Sequence, residues 1–116
     1  MSIFKDQATF MQACGQTTSV NNLEQAKLYV TLVKEEYEEL LEAEGAENQL
    51  KELMDCLVVL VGLGLSMGWD LDGAWNEVLR SNLSKIDLST GMVTRREDGK
   101  ILKGENYIKA DVSKFI

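Results

Sequence analysis

Histidine and proline are absent from the 116-residue chain, and only two cysteines, Cys14 and Cys56, are present. Without histidine, no imidazole can act as a metal ligand or activate a nucleophilic thiol. Without proline, long uninterrupted helices are expected. The two cysteines form no C-x-x-C motif, so we expect free thiols and a cytoplasmic location.

Positive charge is also scarce, because 12 lysines and arginines stand against 19 aspartates and glutamates, for a formal net charge of -7. This balance argues against binding to nucleic-acid polymers or to anionic membranes. The first residues turn polar at once, and the apolar run 56–65 is too short for a membrane span. Length and composition predict a single domain over residues 1–116, with a helical body at 1–88 and a basic tail at 89–116.

Apolar periodicity predicts a short helix followed by three long ones. Asn21 or Asn22 caps the first long helix, and Asp70 or Asp72 caps the third. We expect the glycines of the second long helix, Gly62 and Gly64 among them, to permit close helix packing, because no strand precedes them as a dinucleotide site requires. The predicted helices cover residues 2–13, 22–44, 46–67 and about 70–86.

Two acidic clusters lie on neighbouring predicted helices. The first, E-E-x-x-E, contains Glu35, Glu36 and Glu39, and the second, E-x-x-D, contains Glu52 and Asp55. A helical wheel places Glu36 and Glu39 on the arc of the apolar residues, with Glu35 at its border. Glu52 and Asp55 are three residues apart, so they share a face, at the start of an apolar stretch that we expect to be buried on every side.

Carboxylates that face one core require raised pKa values, basic partners or a cation, because desolvating an unpaired carboxylate is costly. Helical wheels place the nearby lysines on outer faces, which leaves shared protons or a cation. With oxygen ligands alone, the expected ion is Mg²⁺, with Mn²⁺ second, and phosphate commonly completes the coordination of such an ion. This pattern points to phosphate-ester or phosphoanhydride chemistry, with a solvated acidic surface as the alternative. The proposed ligands are Glu36, Glu39, Glu52 and Asp55.

The order of these motifs, followed by a helix with Asn82 and Lys85, resembles the all-α nucleoside triphosphate pyrophosphohydrolase superfamily. That group includes MazG-like proteins, dimeric dUTPases and phosphoribosyl-ATP pyrophosphohydrolase. The resemblance covers residues 28–85, and the basic tail is similar to a phosphoribosyl-ATP pyrophosphohydrolase-like subgroup. It implies Mg²⁺-dependent cleavage of a nucleoside triphosphate to the monophosphate and pyrophosphate. It also implies that Asn82 and Lys85 lie near the triphosphate, and that Lys100 or Lys103 folds back over the phosphates.

We therefore expect an all-α helical bundle of this type, with a short C-terminal hairpin around Asp98-Gly99 or an extended tail. Its very apolar helix favours a homodimer or a dimer of dimers. Glu35 is the candidate general base, because without histidine the base must be a carboxylate or a metal-activated water. The expected activity is hydrolysis of an NTP or dNTP in nucleotide-pool house-cleaning. The alternatives are a non-catalytic nucleotide- or metal-binding regulatory module and a helical interaction protein.

Overall fold

A computed structural model describes all residues from Met1 to Ile116 and contains four α-helices. No residue belongs to a β-strand, so the predicted all-α class is confirmed. No helix combines the length and the apolar character that crossing a membrane would require. The elements are α1 (Ile3–Ala13), α2 (Leu23–Glu42), α3 (Ala46–Ser66), α4 (Leu71–Leu83) and a 3₁₀ turn (Ser113–Phe115).

Local capping determines where α2 begins and how it connects to α3. The Asn22 side chain accepts a hydrogen bond from the Gln25 amide at 3.1 Å, so Asn22 is the N-cap of the two candidates. At the other end, Ala43 is extended, and Gly45 has a φ of 84°, a conformation that glycine adopts without strain. The chain therefore reverses within three residues, and α2 lies beside α3.

By its internal packing, the chain divides into two compact units, Met1–Leu71 with Ile116, and Asp72–Phe115. In the first unit, α2 packs along α3, and α1 packs on α3. Their contact surfaces form the apolar core because helix-spaced residues of each element face the same interior. The buried members of this core are Met11, Tyr29, Val59, Val61 and Leu65.

A glycine sets the separation between α2 and α3. A Cβ on Gly62 would overlap the ring of Tyr29, so the two helices approach closely at this position. The Tyr29 hydroxyl donates to the Gln16 side chain at 2.6 Å, and Gln25 donates to Ser66 Oγ at 2.8 Å. The first contact holds α2 against the loop that follows α1, and the second joins the start of α2 to the end of α3.

Helix α3 is not enclosed on all sides within the chain. Val59, Val61 and Leu65 are buried, whereas Val58 and Leu60 are 41% and 51% exposed. The expectation that this stretch is buried on every side is therefore wrong for the single chain, because α1 and α2 cover only part of its surface.

In the second unit, α4 ends at Leu83, three residues before the predicted end, and the chain continues in tight turns. The expected hairpin around Asp98-Gly99 is present as two backbone hydrogen bonds, from Arg96 to Lys100 at 2.7 Å and from Leu102 to Thr94 at 2.8 Å. It is too short to form strands, and Gly99 makes its turn with a φ of 89°.

Candidate functional site

The packing of α2 on α3 brings three acidic side chains together. One carboxylate oxygen from each of Glu36, Glu39 and Glu52 lies within 4.8 Å of the other two. Glu36 and Glu39 are one turn apart on α2, and Glu52 faces them from the second turn of α3. Two helices therefore supply the oxygens of one cluster, as their helical spacing predicted.

Two oxygens of this cluster are enclosed without a partner. Oε2 of Glu36 and Oε2 of Glu52 are buried, and neither has a hydrogen-bond partner. Leaving a buried acceptor unsatisfied destabilises a fold, and more so when the acceptor is charged. Protons or a cation bound by these carboxylates would give the unpaired oxygens a partner.

The electrostatic environment of Glu36 also favours a proton or a cation at the cluster. Burial raises the pKa of the Glu36 carboxyl, and the neighbouring carboxylate of Glu39 raises it further, followed by Asp55 and Glu52. Burial and the same carboxylates also raise the pKa of the adjacent Cys56 thiol, which is therefore a poor nucleophile. The local field favours a bound positive charge, and carboxylate oxygens suit a hard divalent cation.

Asp55 lies outside the group of three and has a basic partner. Lys51 Nζ donates to Asp55 Oδ2 at 2.6 Å, one turn along α3. The expectation that no lysine approaches the acids is wrong at Asp55, because Lys51 lies one turn before it on the same face of α3. The i, i+4 spacing of the two residues is the sequence signal that could have identified this pair.

The cluster opens onto a cleft of about 430 Å³ between the end of α2 and the start of α3. Carboxylates dominate its lining, so an anionic ligand is repelled unless positive charge accompanies it. Asn48, which sequence reasoning missed, also lines this cleft, and its side chain donates to the Glu44 carbonyl at 2.9 Å. The residues around the cleft are Glu39, Glu42, Ala43, Glu44, Asn48 and Glu52.

Glu35 precedes the cluster on α2 and is exposed to solvent. It is not one of the three acids whose oxygens converge. Its exposure leaves the carboxylate in contact with water, and its role as the general base stays a prediction.

The four predicted substrate-binding residues all belong to the second unit. Asn82 is in the last turn of α4, and its carbonyl accepts a hydrogen bond from the Lys85 amide at 3.1 Å. Lys100 is in the hairpin turn, where its amide donates to Asp98. The ammonium groups of Lys85 and Lys103 lie 6.0 Å and 5.0 Å from the ring centre of Tyr107, an aromatic residue that sequence reasoning missed.

A comparison with protein-family models matches residues 7–82 to phosphoribosyl-ATP pyrophosphohydrolase. The match covers more than half of the chain and includes both acidic motifs, while the basic tail lies outside it. No curated protein matches the chain. Family, helical architecture and acidic cluster agree with pyrophosphohydrolase chemistry on a nucleotide-like substrate. The chain belongs to the phosphoribosyl-ATP pyrophosphohydrolase family, within the all-α nucleoside triphosphate pyrophosphohydrolase superfamily.

Proposed function

We propose that the protein is a Mg²⁺-dependent pyrophosphohydrolase that cleaves a nucleoside triphosphate, ribose or deoxyribose, to the monophosphate and pyrophosphate. The observation that carries this proposal is the convergence of Glu36, Glu39 and Glu52, with two enclosed oxygens that have no partner. Family membership supports the same class of reaction.

Glu36, Glu39 and Glu52 would hold the cation, with Asp55 as a fourth ligand when it exchanges Lys51 for the metal. A bound Mg²⁺ would polarise the phosphate oxygens and offset the negative charge of the cleft. Mn²⁺, which accepts the same oxygen ligands, is the second choice.

The protein's own groups would then activate water and stabilise the phosphates. In the proposed reaction, Glu35 takes a proton from the attacking water, whose oxygen forms a bond to the α-phosphorus. The bond between the α-phosphorus and the bridging oxygen breaks, and pyrophosphate leaves with that oxygen. Asn82, Lys85, Lys100 and Lys103 are the proposed contacts to the phosphates, where ammonium groups stabilise developing negative charge.

Phosphoribosyl-ATP is a second candidate substrate, favoured by the description of the matching family. It presents the same α–β phosphoanhydride bond but carries an added phosphoribosyl group on the base. A role in nucleotide-pool house-cleaning requires hydrolysis of free triphosphates, so the relative rates on the two substrate classes decide between the roles.

The deciding experiment measures pyrophosphate release from a panel of NTPs, dNTPs and phosphoribosyl-ATP, with and without Mg²⁺. Glu52→Gln removes one ligand charge with little change in shape, so turnover should fall at least about 100-fold. Glu38→Gln, an exposed carboxylate on the same helix, is the matched control and should retain activity.

Three outcomes would contradict the proposal, each in a different part. Binding of nucleotide and Mg²⁺ without any pyrophosphate release would identify a regulatory binding module. No change in melting temperature with Mg²⁺ plus nucleotide would favour a helical interaction protein whose acids are only solvated. Unchanged turnover in Glu52→Gln would exclude the assigned site.

We also propose a cytoplasmic homodimer or dimer of dimers. Apolar residues of α3 remain exposed in the single chain, and a contiguous patch of this kind is typical of a protein interface. Sedimentation of a compact monomer would contradict this assembly. The exposed apolar residues of α3 are Leu50, Leu53, Met54, Val58 and Leu60.

A further inference from the structure

Inside the second unit, hydrogen bonds hold the C-terminal tail against α4 and the residue Ser84 that follows it. The Ile108 amide donates to Ser84 Oγ at 2.8 Å, and the Asp111 amide donates to Glu77 Oε2 at 2.8 Å. Glu77 also accepts two hydrogen bonds from Arg80, so its carboxylate is held in place. These contacts join residues 24 and 34 positions apart in the sequence.

The pinned tail places Tyr107 beside the end of α4. The Tyr107 amide donates to the Gly104 carbonyl at 3.2 Å, which closes a turn, and the ring is half-buried. The ammonium groups of Lys85 and Lys103, which both precede Tyr107 in the sequence, lie 6.0 Å and 5.0 Å from the ring centre. Both distances are within the range of a cation–π interaction.

Neither of these lysines has an acidic partner. The ion pairs of Lys51, Arg80 and Arg96 are formed with Asp55, Glu77 and Asp98, and Glu105, in the same turn as Tyr107, forms no ion pair with either lysine. The aromatic ring therefore gathers two ammonium groups that repel each other and that no carboxylate neutralises. A ligand with several negative charges would relieve this repulsion by contacting both groups.

We propose that Tyr107 is a positioning residue that holds Lys85 and Lys103 as one binding site for a phosphate chain. The inference rests on the proposed function for the origin of that chain, which is the triphosphate or the pyrophosphate product. The binding site itself requires only residues of the second unit. Tyr107 acts through the two lysines, because its ring fixes their ammonium groups.

The test measures affinity of the full-length chain for inorganic pyrophosphate, by calorimetry in metal-free buffer. Tyr107→Leu removes the ring and should weaken binding about fivefold, the loss expected for an exposed cation–π pair. Tyr107→Phe keeps the ring and should bind like the wild type. Lys85→Gln and Lys103→Gln should each weaken binding, whereas Lys109→Gln, an exposed tail lysine without a ring contact, should not.

Combining the variants distinguishes a purely structural role of Tyr107 from the proposed positioning of the two lysines. In a Lys85→Gln, Lys103→Gln background, Tyr107→Leu should cause no further loss, because the ring acts only through those lysines. An additional loss equal to that in the wild-type background would overturn the proposal. So would wild-type affinity in Tyr107→Leu, or no pyrophosphate binding by the wild-type chain.

The pyrophosphate affinities test this inference separately from the hydrolysis of nucleotides. Lysine-dependent pyrophosphate binding without hydrolysis of any nucleotide would support this inference while the proposed function fails. Mg²⁺-dependent hydrolysis with an unchanged pyrophosphate affinity in Tyr107→Leu would support the proposed function and reject this inference.

Discussion

Every buried apolar side chain of the protein belongs to the first unit, whereas in the second unit only Ser81 is buried. The two units also differ in charge. The first contains 12 of the 19 acidic residues but only four of the 12 basic residues, and the second is nearly balanced. The first unit is thus held by apolar packing and concentrates negative charge, which suits a cation site. The second is held largely by polar contacts and supplies most of the positive charge, which suits phosphates.

The largest stability effect is expected where the packed unit is tightest. Gly62→Ala places a Cβ against the buried Tyr29 ring, which its hydrogen bond to Gln16 holds in place, so unfolding free energy should fall by about 1–3 kcal/mol. Gly64→Ala should be milder, because the added Cβ meets only the movable end of the Leu71 side chain.

Denaturant melts of the two glycine variants provide the measurement. If Gly62→Ala is no less stable than Gly64→Ala, the close approach of α2 and α3 at Gly62 does not stabilise the first unit as we expect.

A smaller effect is expected at the ion pair beside the acidic cluster. Lys51→Gln removes the partner of Asp55 and a positive charge near Glu52, so Mg²⁺ affinity should rise, by about two- to fivefold given the small energies of exposed pairs. Calorimetric titration with Mg²⁺ measures this change, and Lys34→Gln, an exposed lysine on α2, is the control. Weaker Mg²⁺ binding in Lys51→Gln would mean that Lys51 supports the cation site.

The smallest expected effect is a pH-dependent loss of the contact between the tail and α4 in the second unit. Hydrogen bonds from Arg80, followed by the Asp111 amide, lower the pKa of Glu77 to about 2 from an ordinary 4.5. Because the folded pKa is lowered, the contribution of Glu77 to tail docking is fully present above pH 4.5 and is lost as the pH falls toward 2.

The chemical shift of the Asp111 amide follows this titration in NMR spectra. A step with a midpoint near 2 should disappear in Glu77→Gln, and any step that remains belongs to the Asp111 carboxyl. A Glu77 step near the ordinary value would indicate that the tail is not pinned to α4.

Much of the first unit could be predicted from the sequence because its signals are local. Helix-spaced apolar residues and the Asn22 cap located α2. The same periodicity predicted that Glu36 and Glu39 face the core; Glu36 is half-buried, whereas Glu39, one turn nearer the end of the helix, is exposed. The ion pair of Lys51 with Asp55 could also have been predicted, because residues four apart lie next to each other on the surface of a helix.

The second unit resisted prediction because its organisation depends on contacts between distant segments. The position of Tyr107 depends on the hydrogen bond between Ser84 and Ile108, which no periodic pattern indicates. No proline or glycine marks the end of α4 at Leu83, so the apolar pattern predicts a helix that extends to Ile86.

The central claim is that acids from α2 and α3 converge on a cation. Its most direct test is a calorimetric titration of the full-length protein with Mg²⁺ in the absence of nucleotide. The acidic cluster should bind the cation, and Glu36→Gln and Glu52→Gln should each reduce the affinity by more than about tenfold. Glu38→Gln should bind like the wild type. Equal affinity in all four proteins would contradict the claim that acids from α2 and α3 converge to hold a cation.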